Sequence, residues 1–438
     1  MKIDSYGASY PDAIHLQALK QAHKVRYSER QSMTVDGNTA AAIPFVQWWR
    51  APIMAGFPIT PATKWLEHLA TEVGGGKLGA KRVKLLESEH AAADYMVGVA
   101  AACRSLIVGT ATSSVGLDHM TETVRSLGAS GLGNVVLVNV CRATANYPLC
   151  IEGDPSDTLG HRDDGFIQVM CRGKQQIYDT LLQMPAIGMH SAVMTPTMPA
   201  YYGIKDSHRA GVLQVEPDNE VNEFLETAFR LDSKLNPPGL LDGDTSMGNC
   251  VTSAWFQGFK IGQKQRMEKV HEIMPKVSTL FEKSFGRPGL QNFELHRMED
   301  HPEVVIVTMG PDSGTAIHLL EELRREFKVR VGVVVLRLLS PFPSVALAKV
   351  LSCARSVLVI NNAHHHGRGH LTLDVADALM ATGKAPPIEA FFCGMGGADV
   401  SVESFKLMTR MGVETAARGT VLRRWHVVHD GTVVAEGN

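Results

Sequence analysis

Residues 56–63 contain the first side chains suited to chemistry, and they read Gly56-Phe57-Pro58-Ile59-Thr60-Pro61-Ala62-Thr63. Thr60 precedes a proline, which favours an extended backbone, and Pro61 suits the first position of a helix. A threonine just before that position is a good N-cap. Unpaired backbone N–H groups and a hydroxyl would then face one place, which predicts binding of an anion such as a carboxylate. An ordinary strand-to-helix turn is the alternative.

Arg142 directly follows the apolar run Val135–Cys141. Ligands of α/β sheets gather where strands end, and a guanidinium there could hold a substrate carboxylate through two parallel hydrogen bonds. The alternative is an ion pair with Asp154 or Asp157 in the following loop.

Glu89 follows an apolar approach and opens an alanine-rich segment that is predicted to be helical as far as Ala102. A carboxylate in a dry site can serve as a well-placed acid or base. Glu87 is a rival on chemistry alone, and a glutamate that merely favours a helix N-terminus is a further alternative. The small residues of the helix permit close backbone approach, either at a subunit interface, against a flat cofactor ring, or in tight internal packing.

Several short segments in a fixed order resemble the α subunit of the 2-oxoacid:ferredoxin oxidoreductases, the thiamine-diphosphate enzymes typified by pyruvate:ferredoxin oxidoreductase. The matching segments are Gly56–Pro61, Glu87–Ala92, Thr110–Leu117, the strand before Arg142, Phe285–Arg287, Val305–Gly310, Ser340–Pro343 and Gly394–Gly397. Each segment is short, but the ordered set is specific.

The resemblance implies an α/β fold, with a thiamine-diphosphate pyrimidine-type doubly wound domain followed by a transketolase C-terminal-like α/β domain. It assigns the pyrimidine-binding carboxylate to Glu89, with Pro58 beside the cofactor. It assigns the substrate carboxylate to Arg142 and Thr60. Glu89, Thr60 and Arg142 are thus the expected catalytic residues.

The resemblance also implies partners. Thiamine diphosphate would be shared with a β subunit, and Mg²⁺ and [4Fe-4S] clusters would lie in partner subunits. Partners of γ and δ type would add coenzyme A contacts and the clusters. Ferredoxin or another acceptor, NAD-linked in one alternative, would take the electrons.

Apolar periodicity predicts four regions: an N-terminal extension (1–36), a pyrimidine-type domain (37–255), a helical connector (256–302) and a second α/β domain (303–438). The extension is expected to pack on a partner or to be a solvated arm. The predicted strands are Leu106–Ala111, Val135–Cys141, Ile187–Met194, Val304–Met309, Val329–Leu336 and Val357–Ile360. A helix with an apolar face from Ala316 to Phe327 and a hairpin around Asp430-Gly431 are predicted in the last domain.

The composition of the 438 residues, 45% hydrophobic and 20% charged, is that of a globular protein. A net charge of −2 gives no reason to expect nucleic acid or an anionic membrane as partner. The start of the sequence lacks a signal-peptide core and no apolar run is long enough to span a bilayer, so a cytoplasmic location is expected. Seven scattered cysteines without a C-x-x-C pair predict reduced thiols and no iron–sulfur cluster in this chain.

Three attractive motifs are predicted not to hold metal or phosphate. Gly243-Asp244-Thr245 lacks the second glycine of the thiamine-diphosphate metal motif, and Asn249 follows too soon. Gly310–Thr315 favours a strand-to-helix turn, capped by Asp312 or Ser313, over a phosphate loop. The loop His364–His370 offers too few fixed ligands for a metal, and its role, next to the unusual Asn361-Asn362 pair, is left open.

The segment Ala143–Asp164, with Tyr147 and Ile151, departs from the pattern expected of a pyruvate enzyme. Because it follows Arg142, we expect it to line the side-chain pocket. Pyruvate or an aromatic 2-oxo acid such as phenylglyoxylate is the expected substrate. The functional alternatives are a non-catalytic scaffold paralogue and a non-redox thiamine-diphosphate synthase or decarboxylase subunit.

Overall fold

The structure, a computed structural model, describes residues 10–76, 78–79, 81–144, 148–232, 240, 246–363, 367–381, 383 and 385–437, with side chains from residue 16 onward. The chain divides into two units. Unit 1 contains residues 1–140 and 161–291, and unit 2 contains residues 141–160 and 292–438. The predicted domain boundaries at residues 37, 256 and 303 stay predictions.

The helices as far as residue 285 are α1 (Tyr10–Ala22), α2 (Gly37–Gln47), α3 (Thr63–Gly74), α4 (Glu89–Ala102), α5 (Val115–His119), α6 (Thr121–Ser130), α7 (Ser156–Gly160), α8 (Gly173–Gly188), α9 (Asp218–Phe229) and α10 (Ser253–Phe285). The strands of this part are β1 (Gln31–Val35), β2 (Ile53–Gly56), β3 (Arg82–Leu85), β4 (Val108–Thr112), β5 (Val135–Cys141), β6 (Ile167–Cys171), β7 (Thr197–Tyr202) and β8 (Gly211–Val215). Within unit 1 the main sheet has the order β6-β7-β5-β4-β2-β3. The pairs β2–β3, β2–β4, β4–β5 and β6–β7 are parallel.

The carboxyl ends of β3, β2 and β4 meet at one edge of this sheet because the three strands are parallel neighbours. Strands β4 and β5 are buried along their whole length, as apolar runs in a parallel sheet covered on both faces should be. The prediction of β5 is confirmed to the residue, and that of β4 is confirmed with a shift of one or two residues.

The predicted strand Ile187–Met194 is wrong. Its first two residues end α8, and the next strand is β7, which begins at Thr197. Helix α8 is buried on nearly every side, so its last turn has no polar face that would mark it as helical. A short apolar run of this kind cannot be assigned to strand or helix by periodicity.

The N-terminal segment contains a paired strand. Strand β1 runs antiparallel to β8, with Gln31 opposite Val215 and Val35 opposite Gly211. Just before it, Tyr27 is buried and the Arg26 guanidinium donates to Glu72 on α3 at 2.8 Å. Packing of residues 1–36 on a partner stays a prediction.

Lys81 is buried where α2 ends. Its ammonium group donates to the carbonyl oxygens of Phe45, Trp48 and Ala51 at 2.7, 2.5 and 2.9 Å. The last carbonyls of a helix lack partners within the helix, so Lys81 satisfies them in place of water.

The helix predicted from Phe256 to Glu282 is confirmed as α10, which extends from Ser253 to Phe285. It is followed by Arg287, whose guanidinium donates to Asp179 on α8 at 2.7 Å and also to Glu216 after β8. Arg30 donates to the other oxygen of Glu216 at 2.7 Å. The end of α10 is thereby fixed to α8 and to the β1–β8 pair.

Unit 2 contains β9 (Phe293–His296), β10 (Val304–Met309), β11 (Val331–Leu336), β12 (Leu338–Ser340), β13 (Ser356–Asn361), β14 (Ile388–Phe392), β15 (Trp425–His429) and β16 (Thr432–Gly437). Its helices are α11 (Ser313–Phe327), α12 (Ser344–Leu351), α13 (His370–Met380) and α14 (Val402–Arg418). The sheet order is β16-β15-β14-β13-β10-β11-β9, with parallel pairing from β15 to β11 and antiparallel pairing at both edges.

The strand and helix predictions for unit 2 are confirmed. The core is formed by β10, β11 and β13 together with the apolar face of α11, where Ala316, Leu319, Leu320 and Leu323 are buried. The C-terminal hairpin turns at Asp430 and Gly431, which both have positive φ angles, as a two-residue turn of this type requires. In the part of the chain that the structure describes, no helix has the length and hydropathy needed to cross a membrane.

Candidate functional site

The segment after β2 forms a turn and not the start of a helix. Helix α3 begins at Thr63, two residues later than predicted, so the expectation that Thr60 caps a helix at Pro61 is wrong. The Thr60–Pro61 peptide bond is cis, and both Pro58 and Thr60 are exposed.

Asn38 holds this turn in place. Its amide donates to the carbonyl oxygen of Pro61 at 2.8 Å, and its own oxygen accepts a hydrogen bond from the Tyr201 hydroxyl at 2.8 Å. Asn38 and Tyr201 are both buried. Strand β7 thereby fixes the position of Thr60 through α2. Nothing in the sequence pointed to Asn38, because it lies 23 residues from its partner.

Glu89 is the first residue of α4. The Ser88 hydroxyl accepts a hydrogen bond from the Ala91 backbone N–H at 3.1 Å and caps the helix. Glu89 is only 8% exposed, whereas the rival Glu87 is exposed to solvent. Of the two carboxylates, only Glu89 is in an environment dry enough to act on a bound ligand.

A turn between β4 and α5 lies against Glu89. A methyl group added at Gly116, the second residue of α5, would lie 2.7 Å from the Thr112 hydroxyl and 2.9 Å from Glu89 Oε1, so a side chain there would have to displace one of them. Ser114 in the same turn has a φ angle of +44°, which costs a residue with a side chain about 1–3 kcal/mol. Backbone strain of this kind is found where a site requires one geometry.

Three buried hydroxyl groups accompany this turn. The side-chain oxygens of Thr110, Thr112 and Ser113 have no hydrogen-bond partner among the described residues. Buried polar atoms normally find partners, so an uncompensated set next to a buried carboxylate indicates a place for a polar ligand. A carboxylate with hydroxyl groups nearby offers donors and acceptors of the kind that an aminopyrimidine would need, and the role of Glu89 toward such a ring stays a prediction.

His119 contacts Glu89 directly. Its Nδ1 lies 3.2 Å from Glu89 Oε2, and its ring stacks on His90 with centroids 6.1 Å apart. Oε2 therefore has a partner, while Oε1 lies against Gly116. Sequence reasoning missed His119, because 30 residues separate it from Glu89 and no pattern connects the two.

The residue before His119 belongs to a second buried network. His161 Nε2 lies 3.0 Å from Asp118, and its Nδ1 lies 2.6 Å from Asp164, which also accepts from Arg125 on α6 at 3.0 Å. Burial disfavours the charged imidazolium, but the hydrogen bonds to Asp118 and Asp164 outweigh it and raise the pKa of His161 to about 9. The charged histidine thus fixes α5, which carries both Gly116 and His119.

Arg142 lies in unit 2, whereas Thr60 and Glu89 lie in unit 1. The expectation that all three act in one site stays a prediction. Arg142 is buried, and its backbone N–H donates to Asp157 Oδ2 at 3.0 Å. The expected neighbour Asp157 therefore holds the main chain of Arg142.

The loop after Arg142 is supported by the Gly394–Gly397 segment of the same unit. The Gly396 N–H donates to Asp154 Oδ2 at 2.7 Å, and a methyl group at Gly397 would lie 2.7 Å from Glu152 Cβ. Ile151 is 45% exposed, so it is available to a ligand or a partner. Tyr147, the other residue expected to select the substrate, lies outside the described residues.

The remaining motifs have structural contacts. The Ser313 hydroxyl donates to the Gly310 carbonyl at 2.6 Å, which supports the predicted turn at residues 310–315. The predicted cap is wrong, because neither Asp312 nor Ser313 accepts a capping hydrogen bond at the start of α11. Asn362 donates to Asp312 at 3.1 Å, and Asn361 donates to Thr372 at 2.8 Å. Gly243–Thr245 and His364–His366 lie outside the described residues. Within the described ranges no group of three possible metal ligands occurs, and the seven cysteines form no disulfide bonds.

Comparison with known proteins identifies both halves of the chain. Residues 49–278 match the family model described as pyruvate flavodoxin/ferredoxin oxidoreductase, thiamine diP-binding, and residues 302–405 match pyruvate:ferredoxin oxidoreductase core domain II. The chain is 31% identical to pyruvate synthase subunit PorA of Thermotoga maritima over 84% of this chain and 91% of that protein. It is 30% identical to ketoisovalerate oxidoreductase subunit VorA of Pyrococcus horikoshii over 85% and 91%.

Two solved structures share the fold. A 2-oxoglutarate:ferredoxin oxidoreductase from Magnetococcus marinus is 16% identical, with a TM-score of 0.66 over 88% of this chain, which spans 65% of that longer chain. A split-gene transketolase is 12% identical, with a TM-score of 0.50 over 88% of this chain and 98% of its own. The predicted fold class, a thiamine-diphosphate-binding α/β domain followed by a transketolase-like domain, is confirmed. The chain belongs to the 2-oxoacid:ferredoxin oxidoreductase family, among its α subunits.

Proposed function

We propose that this chain is the α subunit of a thiamine-diphosphate-dependent, coenzyme A-acylating 2-oxoacid oxidoreductase. In the overall reaction a 2-oxo acid and coenzyme A give an acyl-CoA, CO₂ and a proton. Two electrons leave singly to an acceptor such as ferredoxin.

Buried Glu89, next to Gly116 and the unpartnered hydroxyls, is the observation that carries the proposal. Thiamine diphosphate supplies a nucleophilic carbon, which forms when a carboxylate hydrogen-bonded to the pyrimidine ring favours its imino tautomer. In this chain Glu89 would provide that carboxylate, and Pro58 would lie beside the cofactor. Burial of Glu89, which is 8% exposed, would strengthen its hydrogen bond to the ring nitrogen.

Substrate binding is assigned to Thr60 and Arg142. A guanidinium can hold the carboxylate of a 2-oxo acid through two parallel hydrogen bonds, and the Thr60 hydroxyl can add a third. The segment after Arg142, with exposed Ile151, would select the side chain. Relatives named for pyruvate and for ketoisovalerate favour an apolar side chain, which includes pyruvate, branched 2-oxo acids and phenylglyoxylate.

Partner subunits would complete the enzyme. The seven cysteines are scattered through the chain, which fits iron–sulfur clusters held by another polypeptide. A β subunit would hold Mg²⁺ and the diphosphate end of the cofactor, and γ- and δ-type subunits would add coenzyme A contacts and the iron–sulfur clusters. Relatives named as lettered subunits support such an assembly.

The test is purification of the native complex, followed by assays with a panel of 2-oxo acids. The panel contains pyruvate, 2-oxoisovalerate, phenylglyoxylate and 2-oxoglutarate, each with and without coenzyme A and with a low-potential acceptor. Acyl-CoA formation coupled to acceptor reduction is expected for an apolar substrate. An assembled complex that turns over none of them would identify a scaffold paralogue, and CO₂ release without acceptor reduction would identify a non-redox enzyme.

A further inference from the structure

Helix α10 carries one apolar stripe along its length, but only part of the stripe is covered. In its C-terminal half Val270, Ile273, Met274, Val277 and Phe281 are buried, and they recur at spacings of three and four residues, which places them on one helical face. Phe281 packs against Phe224 of α9 with ring centroids 5.6 Å apart. This half of α10 is therefore anchored within unit 1.

The same stripe continues toward the N-terminus of the helix. Half-buried Arg266 and Gln263 follow at the same spacing, and the Gln263 amide donates to the Gly128 carbonyl at 2.9 Å. Trp255, Phe256 and Phe259 come next, so they lie on the face that packs onto unit 1 further along the helix. They are 70%, 55% and 62% exposed. The aromatic residues of the stripe thus extend beyond the part of unit 1 that covers the C-terminal half of α10.

Three adjacent large aromatic side chains are costly to leave in water, and contiguous exposed apolar patches on soluble proteins mark interaction sites. Gly258 has open space where a side chain would be, so another backbone can approach closely beside the aromatic rings. The aromatic end of α10, residues 253–262, therefore has the features of a helix that inserts into an apolar groove.

The positive charge of this segment indicates which kind of partner surface would bind it. Residues 246–267 include Lys260, Lys264 and Arg266 but no aspartate or glutamate. Lys260 lies beside the aromatic face, with its ammonium 5.7 Å from the Phe256 ring centroid. Two copies of the segment would bring like charges together without any carboxylate to compensate. A groove bordered by carboxylates would complement it.

We propose that the aromatic end of α10 is the docking site for a different subunit of the same enzyme, one that presents an apolar groove bordered by aspartates and glutamates. This inference rests on the proposed function for the existence of such subunits. The location of the contact and the acidic character of the partner surface come from α10 itself.

The experiment uses the full chain co-expressed with the other subunits of its enzyme. The double variant Trp255→Ser/Phe259→Ser should raise the dissociation constant of the complex at least about tenfold, because buried aromatic anchors dominate interface energies. Lys260→Glu/Lys264→Glu should also weaken the complex, mostly at low salt. Met380→Ser is the control, because Met380 is an exposed apolar residue on another helix, and it should change nothing. Native mass spectrometry across a dilution series measures the assembly.

Cys250 provides a second measurement that does not depend on a variant. It is exposed and lies just before α10, so a maleimide should label it in the free chain and much more slowly in the complex. Assembly of the aromatic variant at the wild-type concentration, or equal labelling of Cys250 in both states, contradicts the proposal. So does a wild-type chain that joins none of the co-expressed subunits.

The other occupants give distinct results. If the lone chain dimerises and the Trp255→Ser/Phe259→Ser variant does not, the occupant of the docking site is a second copy of this chain. If the lone chain binds vesicles of anionic lipid and the same variant does not, the occupant is a membrane. Failure of the proposed function would look different, because a complex lacking 2-oxoacid turnover would still respond to the aromatic variant if the docking site is correct.

Discussion

Glu89 and Glu87 lie two residues apart but differ in burial, and their substitution should separate a catalytic carboxylate from a solvated one. Glu89→Gln preserves size and the helix start but removes the charge that favours the imino tautomer. We expect kcat to fall roughly 10²–10⁴-fold, the usual worth of acid–base assistance, with the complex still assembled. Glu87→Gln, at an exposed position, is the matched control and should have much less effect. Equal losses of kcat at both positions would mean that Glu89 does not have the pyrimidine-binding role assigned to it.

His119 should assist Glu89 by holding Oε2 at 3.2 Å. His119→Leu removes this hydrogen bond, and we expect about a three- to tenfold fall in kcat together with weaker binding of thiamine diphosphate by the complex. His119→Gln, which can still donate from its amide, should recover part of both. His90→Leu is the control, since His90 stacks on His119 without an identified hydrogen bond to Glu89. Identical values for the leucine and glutamine variants would show that packing, and not the hydrogen bond, is responsible.

Arg142 and Ile151 should differ in what they recognise. Arg142→Lys retains a charge but loses the planar fork, so kcat/KM should fall for every 2-oxo acid, because all share the carboxylate. Ile151→Ala should instead change the ranking among pyruvate, 2-oxoisovalerate and phenylglyoxylate. The measurement is kcat/KM for each substrate with both variants. The assignment fails if the lysine variant changes only the ranking, or if the alanine variant lowers all substrates alike.

At the scale of elements, the short helix α5 is held by charged His161 between Asp118 and Asp164. The pKa of His161 rises from 6.5 in the unfolded chain to about 9 in the fold, so its stabilising contribution is complete below pH 6.5 and is lost as the pH rises through about 9. The difference in melting temperature between the wild type and His161→Gln should therefore be larger at pH 6 than at pH 9.5. A difference that stays constant over this range would show that folding does not raise the pKa of His161.

The sequence predicts elements whose apolar pattern is regular. It fails for segments whose conformation and contacts depend on the residues packed around them. Strand β5 and the apolar face of α11 follow their patterns, whereas the end of α8 is apolar on all sides, so its pattern predicts a strand where the structure has the last turn of a helix. Glu89 could be placed at a helix start from its neighbours in the chain. The contact of Glu89 with His119 could not, because it depends on how the sheet edge brings α4 and α5 together. The turn at Thr60 was misjudged for a related reason, since its geometry depends on Asn38 and Tyr201 and not on the local sequence.

At the scale of the whole molecule, the chain should bind thiamine diphosphate weakly when it is alone. It carries a carboxylate for the pyrimidine end, but its Gly243-Asp244-Thr245 segment lacks the metal motif for the diphosphate end. Calorimetry of the lone chain with Mg²⁺ should give a Kd weaker than micromolar, and the assembled complex should bind more tightly. Micromolar or tighter binding by the lone chain would refute a site shared between subunits.

The antiparallel pair of β1 and β8 also sets an order of events during synthesis. Val35 and Gly211 are partners, although 176 residues separate them along the chain (211 − 35). At about 5–20 residues per second, a ribosome needs roughly 10–35 s to make that stretch. Throughout this interval β1 has an unpaired edge, and Arg30 cannot form its ion pair because Glu216 has not yet been made. Strand β1 therefore finds its partner only after the strands between it and β8 have been made, and the nascent chain depends on its surroundings to keep that edge from pairing elsewhere.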